Sequence, residues 1–260
     1  MVKSYFNFFN NLLRNKGYAN FKGIVTSLFA KNVLIGIGSV LHVYDRKNVI
    51  VWGSGIIKSN SKIFEADFRA VRGMETIRRL NELGYKTPKI LGDPALLLPL
   101  IIKPNIRIKN KIGIVPNYKQ FDEIKLKYSL SPEFSLIDLR DDILSVTNEM
   151  TSCEYIIATS LHGLIVAHAY NIPAIWVDLN VNTKLAGDDI KFKDYFSSVN
   201  IDYYSPYNLR SLIYNEIKYL IEENKSKCLI NCNLLDIQKG LLSCFPYPLK
   251  DKYKDVINAN

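Results

Sequence analysis

Short apolar runs alternate with amphipathic segments along most of the chain. The apolar runs are rich in Ile and Val, end at turn or polar residues, and predict strands at residues 48–52, 68–71, 89–91, 111–115, 135–139, 155–158 and 173–177. Between them, apolar residues recur at helical spacing and predict helices at residues 74–83, 118–128, 143–152 and 161–170. Continuous apolar strands separated by helices favour parallel sheets that are covered on both faces.

A basic, polar stretch at residues 103–110 has neither periodicity and predicts a linker between two such alternations. The sequence therefore predicts an α/β fold of two Rossmann-like lobes with parallel sheets, the N-terminal lobe being shortened. The predicted divisions are residues 1–104 for the N-terminal lobe, 105–245 for the C-terminal lobe and 246–260 for a C-terminal tail. Two further helices are predicted at residues 207–222 and 233–242, and residues 251–260 are interpreted as a frayed end.

The composition is that of a globular protein with an excess of positive charge. Of the 260 residues, 48% are hydrophobic, which supplies a core and excludes a disordered chain. The formal net charge of +9 suits phosphate-bearing substrates or an anionic membrane surface, and equally a solvated basic face. The chain has no RNP, KH or zinc-finger pattern, so nucleic acid is not predicted as a partner.

The sequence predicts a cytoplasmic protein that can contact the inner face of the membrane without crossing it. No apolar run reaches the roughly eighteen residues of a spanning helix, and the N-terminus lacks the apolar core of a signal peptide. The four cysteines are therefore interpreted as reduced thiols. With three histidines in the chain, a zinc site is not predicted.

The strongest chemical signal lies where the strand at residues 155–158 gives way to a helix. Thr159 and Ser160 can cap that helix, and its first turn offers backbone N–H groups and a positive dipole end that suit phosphate or carboxylate. His162 lies inside this turn, where an imidazole can donate a proton to a bound anion or take one from a hydroxyl. Gly163 permits close approach of a ligand to the backbone. The alternative is that His162 is a core histidine.

Two other polar residues bear on this hypothesis. His168 is six residues after His162, does not share its helical face, and is interpreted as structural. Arg72 follows the predicted strand at residues 68–71, as His162 follows its own strand. Ligands of parallel sheets bind beyond the carboxyl ends of the strands, so both positions suit a binding site.

Five segments, taken in order, resemble the signature of the polysaccharide pyruvyl transferase family. The resemblance covers roughly residues 32–199, and five short motifs in the right order are more specific than any one of them. The segments are Val51-Trp-Gly-Ser-Gly55, Val71-Arg-Gly73, Gly92-Asp-Pro-Ala-Leu-Leu-Leu-Pro99, Ser160-Leu-His-Gly163 with Ala167 and Ile172-Pro173, and Lys191-Phe-Lys-Asp-Tyr195. The resemblance implies a fold of two lobes like that of B-type glycosyltransferases.

The resemblance also implies an activity. Members of the family transfer the enolpyruvyl group of phosphoenolpyruvate to a sugar as a cyclic ketal, in the synthesis of capsule, exopolysaccharide or cell-wall polymers. The acceptor can be a lipid-linked sugar, which would bring the enzyme to an anionic membrane. The resemblance implies no metal and no organic cofactor, because phosphoenolpyruvate is itself the donor substrate.

Site residues follow from the resemblance by position. His162 is the candidate general acid and Arg72 a candidate clamp for the anionic groups of the donor, although an arginine at a helix start can also be a plain surface residue. Lys191 could hold phosphate or could be solvated, and Asp93 is interpreted as a cap that shapes its loop. The remaining substrate-binding candidates are Gly53, Gly55, Ser160, Leu161 and Gly163. Gly53 and Gly55 could equally form a plain tight turn.

Two departures from the family pattern keep other functions open. Ser160 stands where many relatives have arginine, and residues 15–23 lack the acidic residue of the family's N-terminal loop. One alternative is a glycosyltransferase with two Rossmann-like lobes that uses a nucleotide-sugar. The other is a non-catalytic relative that binds glycan.

Overall fold

The computed structural model describes residues 33–45, 48–104 and 111–258. The predictions for the shortened N-terminal lobe and for residues 15–23 lie outside these ranges, as does most of the predicted linker. The described residues form two compact units, each built on its own parallel sheet. The α/β class with two parallel sheets and interspersed helices is therefore confirmed.

The N-terminal unit comprises residues 33–101, 186–204 and 230–258 of the described chain. Its four parallel strands, in the order β1-β2-β3-β4, are β1 (Val33–Ile35), β2 (Val49–Trp52), β3 (Asp67–Val71) and β4 (Ile90–Leu91). Its helices are α1 (Met74–Glu82), α2 (Leu98–Ile101, after a 3-10 turn at Pro94–Leu97), α6 (Ile190–Ser198), α9 (Leu234–Ser243) and α10 (Asp251–Asn258).

Two apolar clusters form the core of this unit. One contains side chains of β1, β2 and β3 together with Leu80 of α1. The other gathers around Trp52 and includes Leu241 and Leu242 of α9. The Trp52 indole N–H donates to the buried carbonyl of Leu241 at 2.8 Å, which satisfies the polar group of this large side chain.

The C-terminal helix α10 corrects the prediction of a frayed end. Tyr253, Val256 and Ile257 pack against the Trp52 cluster. Their spacing of three and four residues places them on one helical face, so α10 is an amphipathic helix held by tertiary contacts. The prediction was wrong because the lysines and aspartates around these three residues obscured the helical period.

The C-terminal unit comprises residues 102–104, 111–185 and 205–229 of the described chain. Its five parallel strands, in the order β6-β5-β7-β8-β9, are β5 (Ile112–Val115), β6 (Phe134–Leu136), β7 (Tyr155–Ala158), β8 (Ala174–Asp178) and β9 (Tyr207–Asn208). Its helices are α3 (Phe121–Lys127), α4 (Ile143–Thr151), α5 (Leu161–Ala169), α7 (Tyr214–Glu223) and α8 (Lys225–Cys228). All four residues of β5 are buried, as a central parallel strand requires.

Most predicted elements are confirmed within one to three residues. The helix predicted at residues 207–222 is wrong in its first part, because Tyr207–Asn208 pairs with β8 as β9 and the helix begins only at Tyr214. The predicted lobe boundary at residue 104 lies close to the division at Ile101 and Ile102, whereas residues 186–204 and 230–258 group with the N-terminal unit. Within the described ranges, no helix is long and apolar enough to cross a membrane.

Candidate functional site

His162 lies at the carboxyl-end side of the sheet in the C-terminal unit. β7 ends at Ala158, α5 begins at Leu161, and His162 is the second residue of that helix. Its side chain is half-buried, whereas Ser160 and Leu161 beside it are buried. The first turn of α5 carries no acidic residue. The predicted placement of His162 in the first turn of a helix is confirmed, and its catalytic role stays a prediction.

The sequence predicted that Thr159 and Ser160 cap α5, and this prediction is wrong. Ser160 is the N-cap residue but makes no side-chain cap hydrogen bond. The Thr159 hydroxyl turns towards α3 instead, where it donates to Gln120 Oε1 at 2.6 Å and accepts from the Asn117 N–H at 2.9 Å. The start of α5 is thus fixed from the side by the loop that follows β5.

Gly163 serves the packing of α5 on the sheet. A Cβ at this position would lie 2.7 Å from Val115 Cγ1 and 3.1 Å from Ala158 Cβ. The absence of a side chain therefore lets α5 approach β5 and β7 closely, as in other helix–strand contacts of Rossmann-like folds. This contact is a packing reason for the glycine, and the approach of a ligand to its backbone stays a prediction.

We expect Gly163→Ala to lower the free energy of unfolding by about 1–3 kcal/mol, because the added methyl group overpacks the contact with Val115. Urea unfolding measures the change. Gly36→Ala is the matched control, since a Cβ there would have its nearest neighbours at 3.6 Å or more. Equal stabilities of the two variants would contradict the packing role of Gly163.

His168 is buried and structural, as the sequence predicted. It lies against the backbone of Ala174 in β8 and of Cys228 in α8. Burial lowers the pKa of the His168 imidazole to about 4, so the ring is neutral at physiological pH. A neutral ring at this position links three elements of the C-terminal unit.

Arg72 is the centre of a buried polar cluster in the N-terminal unit. Its side chain has no exposed surface. Nε donates to Asp194 Oδ2 at 3.0 Å, Nη1 to Ser39 Oγ at 2.6 Å, and Nη2 to the Ile56 carbonyl at 2.7 Å. The guanidinium is thus a buried group whose three nitrogens bind protein acceptors, and the role of Arg72 as an anion clamp stays a prediction.

The carboxylate that neutralises Arg72 also caps helix α1. Asp194 Oδ1 accepts from the Thr76 N–H and Asp194 Oδ2 from the Thr76 hydroxyl, both at 2.8 Å. The Ser197 hydroxyl accepts from the Met74 N–H at 2.9 Å. Gly73 is the N-cap residue and has no side chain to offer. Side chains from α6 therefore occupy the positive end of α1, where a substrate anion would otherwise bind.

Gly55 of the Trp52 segment packs against this cluster, and Gly53 of the same segment packs against Pro94. A Cβ on Gly55 would lie 2.5 Å from Asp194 Oδ2 and 2.6 Å from Arg72 Cζ. Gly53 has a φ of +94°, and a Cβ there would lie 2.6 Å from Pro94 Cγ. Each glycine thus lies close against another part of the protein, and the predicted approach of a ligand to their backbone stays a prediction.

Lys191 lies on α6, the helix that carries Asp194. Its Nζ is 5.2 Å from the centroid of the Phe192 ring, and the side chain is half-buried. The nearby Lys193 pairs with Glu75 of α1 at 3.2 Å. A role of Lys191 in holding phosphate stays a prediction.

Asp93 caps the 3-10 turn, as the sequence predicted. Its Oδ1 accepts from the Ala95 N–H at 3.0 Å. Oδ2 is buried and has no hydrogen-bond partner among the described residues. Burial raises the pKa of the Asp93 carboxyl to about 6, although the nearby charge of Arg72 opposes the rise.

This raised pKa predicts a pH dependence of stability. The folded state binds the Asp93 proton more tightly than the unfolded chain, so the free energy of unfolding falls as the pH rises from about 4 to about 6. Asp93 contributes about 3 kcal/mol to the free energy of unfolding below pH 4, because its pKa is about 6 in the folded state and 3.8 in the unfolded chain. Urea unfolding between pH 4 and pH 7 measures it, and Asp93→Asn should flatten that part of the profile. Superimposable profiles would contradict the assignment.

Three residues that make buried contacts, Asp194 and Ser39 in the N-terminal unit and Gln120 in the C-terminal unit, were not predicted. Asp194 lies in the family segment Lys191–Tyr195, but the predicted functional residue of that segment was Lys191. The position of Asp194 between the apolar rings of Phe192 and Tyr195 is the signal that could have indicated its burial. Gln120 and Ser39 gave no signal of their own, because their partners lie far away in the sequence.

Comparison with known proteins decides the family. The family model described as polysaccharide pyruvyl transferase matches residues 3–181, which is more than half of the chain. The chain belongs to the polysaccharide pyruvyl transferase family. The match contains both the His162 segment and the Arg72 segment, and it confirms the resemblance that the motifs predicted.

Two curated relatives of this family member extend the comparison. One is Uncharacterized protein L143 of Acanthamoeba polyphaga mimivirus, 35% identical over 166 residues that cover 60% of this chain and 56% of the relative. The other is Succinoglycan biosynthesis protein ExoV of Rhizobium meliloti (strain 1021), 26% identical over 196 residues that cover 68% of this chain and 56% of the relative. The chain thus spans little more than half the length of the curated relatives it matches.

The family motifs of this chain fall into two groups. The segment with His162 belongs to the C-terminal unit. The other four meet in the N-terminal unit, where Gly55, Arg72, Asp93 and Asp194 lie around one buried ion pair. In this pyruvyl transferase family member, residues of the N-terminal motifs pack and cap within their unit, and the catalytic role of His162 stays a prediction.

Proposed function

We propose that this protein is a ketal pyruvyl transferase that uses phosphoenolpyruvate as donor and a sugar of a polysaccharide pathway as acceptor. The observation that carries the proposal is the half-buried imidazole of His162 in the first turn of α5, beyond the carboxyl end of a parallel strand. Membership of the pyruvyl transferase family and the similarity to a succinoglycan biosynthesis protein support it.

The transfer requires one proton to be delivered and two to be removed. The methylene carbon of the donor gains a proton, and the adjacent carbon becomes an electrophile of oxocarbenium character. Two hydroxyls of the sugar attack this carbon, and its bond to the phosphate oxygen breaks. Of the two hydroxyl protons, one balances the proton gained by the methylene group and the other leaves with the phosphate. His162 serves as the general acid for the methylene carbon.

The first turn of α5 is a suitable place for the anionic donor. Its backbone N–H groups and the positive end of the helix dipole attract phosphate or carboxylate. No acidic residue lies in this turn to oppose an anion. Ser160 leaves room where many relatives carry an arginine, so donor binding depends more on the helix terminus.

The experiment is incubation of the protein with phosphoenolpyruvate and candidate sugars, free and lipid-linked, while phosphate release is followed. Release that depends on both substrates, with the pyruvyl group found on the sugar, is the expected result. A thermal shift measures donor binding separately, because a ligand of the folded state raises the melting temperature. Stabilisation by a nucleotide-sugar but not by phosphoenolpyruvate would overturn the proposal in favour of a glycosyltransferase.

We also expect peripheral contact with anionic membranes. The net charge of +9 attracts acidic lipid, and Lys250, Lys252 and Lys254 lie exposed at the C-terminus. Flotation with vesicles that contain phosphatidylserine should recover the protein, whereas neutral vesicles should not. Replacement of Lys250 and Lys252 by glutamate should weaken the association. Equal recovery with neutral and anionic vesicles would contradict an electrostatic contact.

A further inference from the structure

Helix α3 holds the loop that follows β8. Glu123 accepts hydrogen bonds from the backbone of Asn182 at 2.6 Å, and from the backbone and hydroxyl of Thr183 at 3.0 and 2.7 Å. Lys127 Nζ donates to the carbonyls of residues 179 and 180 at 3.0 and 2.6 Å. These polar contacts fix the backbone of residues 179–183, a loop at the carboxyl end of the strand next to β7.

Gln120, the residue before α3, joins this loop to the start of the His162 helix. Its Oε1 accepts from the Thr159 hydroxyl at 2.6 Å, and its Nε2 donates to the Thr183 carbonyl at 3.1 Å. Gln120 and Thr159 are both buried. One side-chain amide therefore bridges the two connections that flank β8 and α5.

The hydrogen bonds of this bridge fix the orientation of the Gln120 side-chain amide. The Thr159 hydroxyl accepts from the Asn117 N–H, so its own proton points to Gln120 Oε1. The side-chain amide nitrogen of Gln120 is then the group that donates to the Thr183 carbonyl. If the amide were reversed, its NH₂ would face the Thr159 hydroxyl proton and its oxygen would face the Thr183 carbonyl, so both hydrogen bonds would be lost. In a buried site such an arrangement rigidifies its members, because a lost partner leaves a desolvated polar group.

We propose that Gln120 is a positioning residue for His162. It sets the start of α5, and hence the first-turn imidazole, in register with the loop at residues 179–183. This inference rests on the proposed function for its chemical consequence. A displacement of about 1 Å in a catalytic group can cost about a hundredfold in rate. A bridge through Thr159, the residue before the N-cap of α5, therefore affects turnover without touching substrate.

A histidine spectrum tests this on the full chain. The chain contains three histidines, so the His162 resonances can be assigned by comparison with His162→Gln. Spectra are recorded for the wild type, Gln120→Leu and Thr159→Val, without and with phosphoenolpyruvate as the probe. Thr159→Ser keeps the hydroxyl and is the conservative rescue. Ser135→Ala is the matched control, because it removes a side-chain hydrogen bond to Glu149 elsewhere in the same unit.

The expected result is a shift of the His162 resonances in Gln120→Leu and Thr159→Val, with His42 and His168 unchanged. In both variants we expect phosphoenolpyruvate to bind at least tenfold more weakly, or turnover to fall at least tenfold while the KM for the sugar is unchanged. Thr159→Ser and Ser135→Ala should match the wild type in both measurements. Thr159→Val serves if Gln120→Leu does not fold.

Two failures can be told apart. If the wild-type His162 resonances do not respond to phosphoenolpyruvate while the variants still shift them, the proposed function fails and the positioning role stands. If Gln120→Leu and Thr159→Val show wild-type His162 resonances and a wild-type response to phosphoenolpyruvate, the positioning role is overturned and the bridge is only structural.

Discussion

Replacing His162 with glutamine is expected to lower phosphate release from phosphoenolpyruvate by about 10²–10⁴-fold, the usual contribution of a general acid. Glutamine has a similar size and can hydrogen-bond, but it cannot deliver a proton. Because His162 is half-buried in the first turn of α5 and not part of the apolar core, the fold should survive the change. Turnover is measured under saturating donor and acceptor, and circular dichroism checks the fold.

His42→Gln is the matched control, since His42 is exposed in the N-terminal unit and bears no proposed role. It should retain wild-type turnover. If His162→Gln also retained full turnover, the general-acid assignment would be wrong, and the acid would have to come from another group.

Asp194→Ala is expected to lower the free energy of unfolding by about 3–5 kcal/mol, which is typical when one partner of a buried ion pair is removed. The change leaves the guanidinium of Arg72 without its counter-charge in a site that has no exposed surface. It also deprives α1 of the carboxylate that accepts from the Thr76 N–H. Urea unfolding at pH 7 measures the decrease in the free energy of unfolding. A substantial fraction of unfolded protein at 37 °C would indicate the same destabilisation.

The exposed pair of Asp67 and Arg69 provides the control. Both side chains reach solvent, and such pairs contribute at most about 1 kcal/mol. Asp67→Ala should therefore be nearly neutral. A double variant, Arg72→Met with Asp194→Leu, should recover part of the stability lost in Asp194→Ala, because neither member of the ion pair is left buried without its partner. Equal effects of Asp194→Ala and Asp67→Ala would contradict a structural role for the buried pair.

Most strands of both sheets could be predicted because their sequence pattern is local, whereas the short edge strands β1 and β9 were missed. A central parallel strand is covered on both faces, so β5 and β7 appear as uninterrupted apolar runs that few other structures explain. The position of His162 followed from the same local logic, since the strand end, the turn and the helix start are contiguous. The family signature then gave the chemistry that periodicity alone cannot give.

The partner of Arg72 could not be predicted, because Asp194 lies 122 residues further along the chain. Nothing local distinguishes an arginine that awaits a substrate anion from one that is neutralised by a distant carboxylate. The same is true of Gln120, whose bridge joins Thr159 to Thr183. The α10 helix was missed for a related reason, since its stability comes from the Trp52 cluster and not from its own propensity.

The division of the N-terminal unit into three stretches of sequence also governs the order in which the protein can form on the ribosome. Residues 102–229 supply every described strand of the second sheet, so that sheet can assemble as soon as they emerge. The packing around the first sheet, although its strands are synthesised earlier, is complete only when Asp194 and then α9 and α10 have followed. A nascent chain arrested before residue 190 would carry Arg72 without its counter-ion and Trp52 without the side chains of α9 and α10 that pack around it. We expect chaperones to bind such a chain.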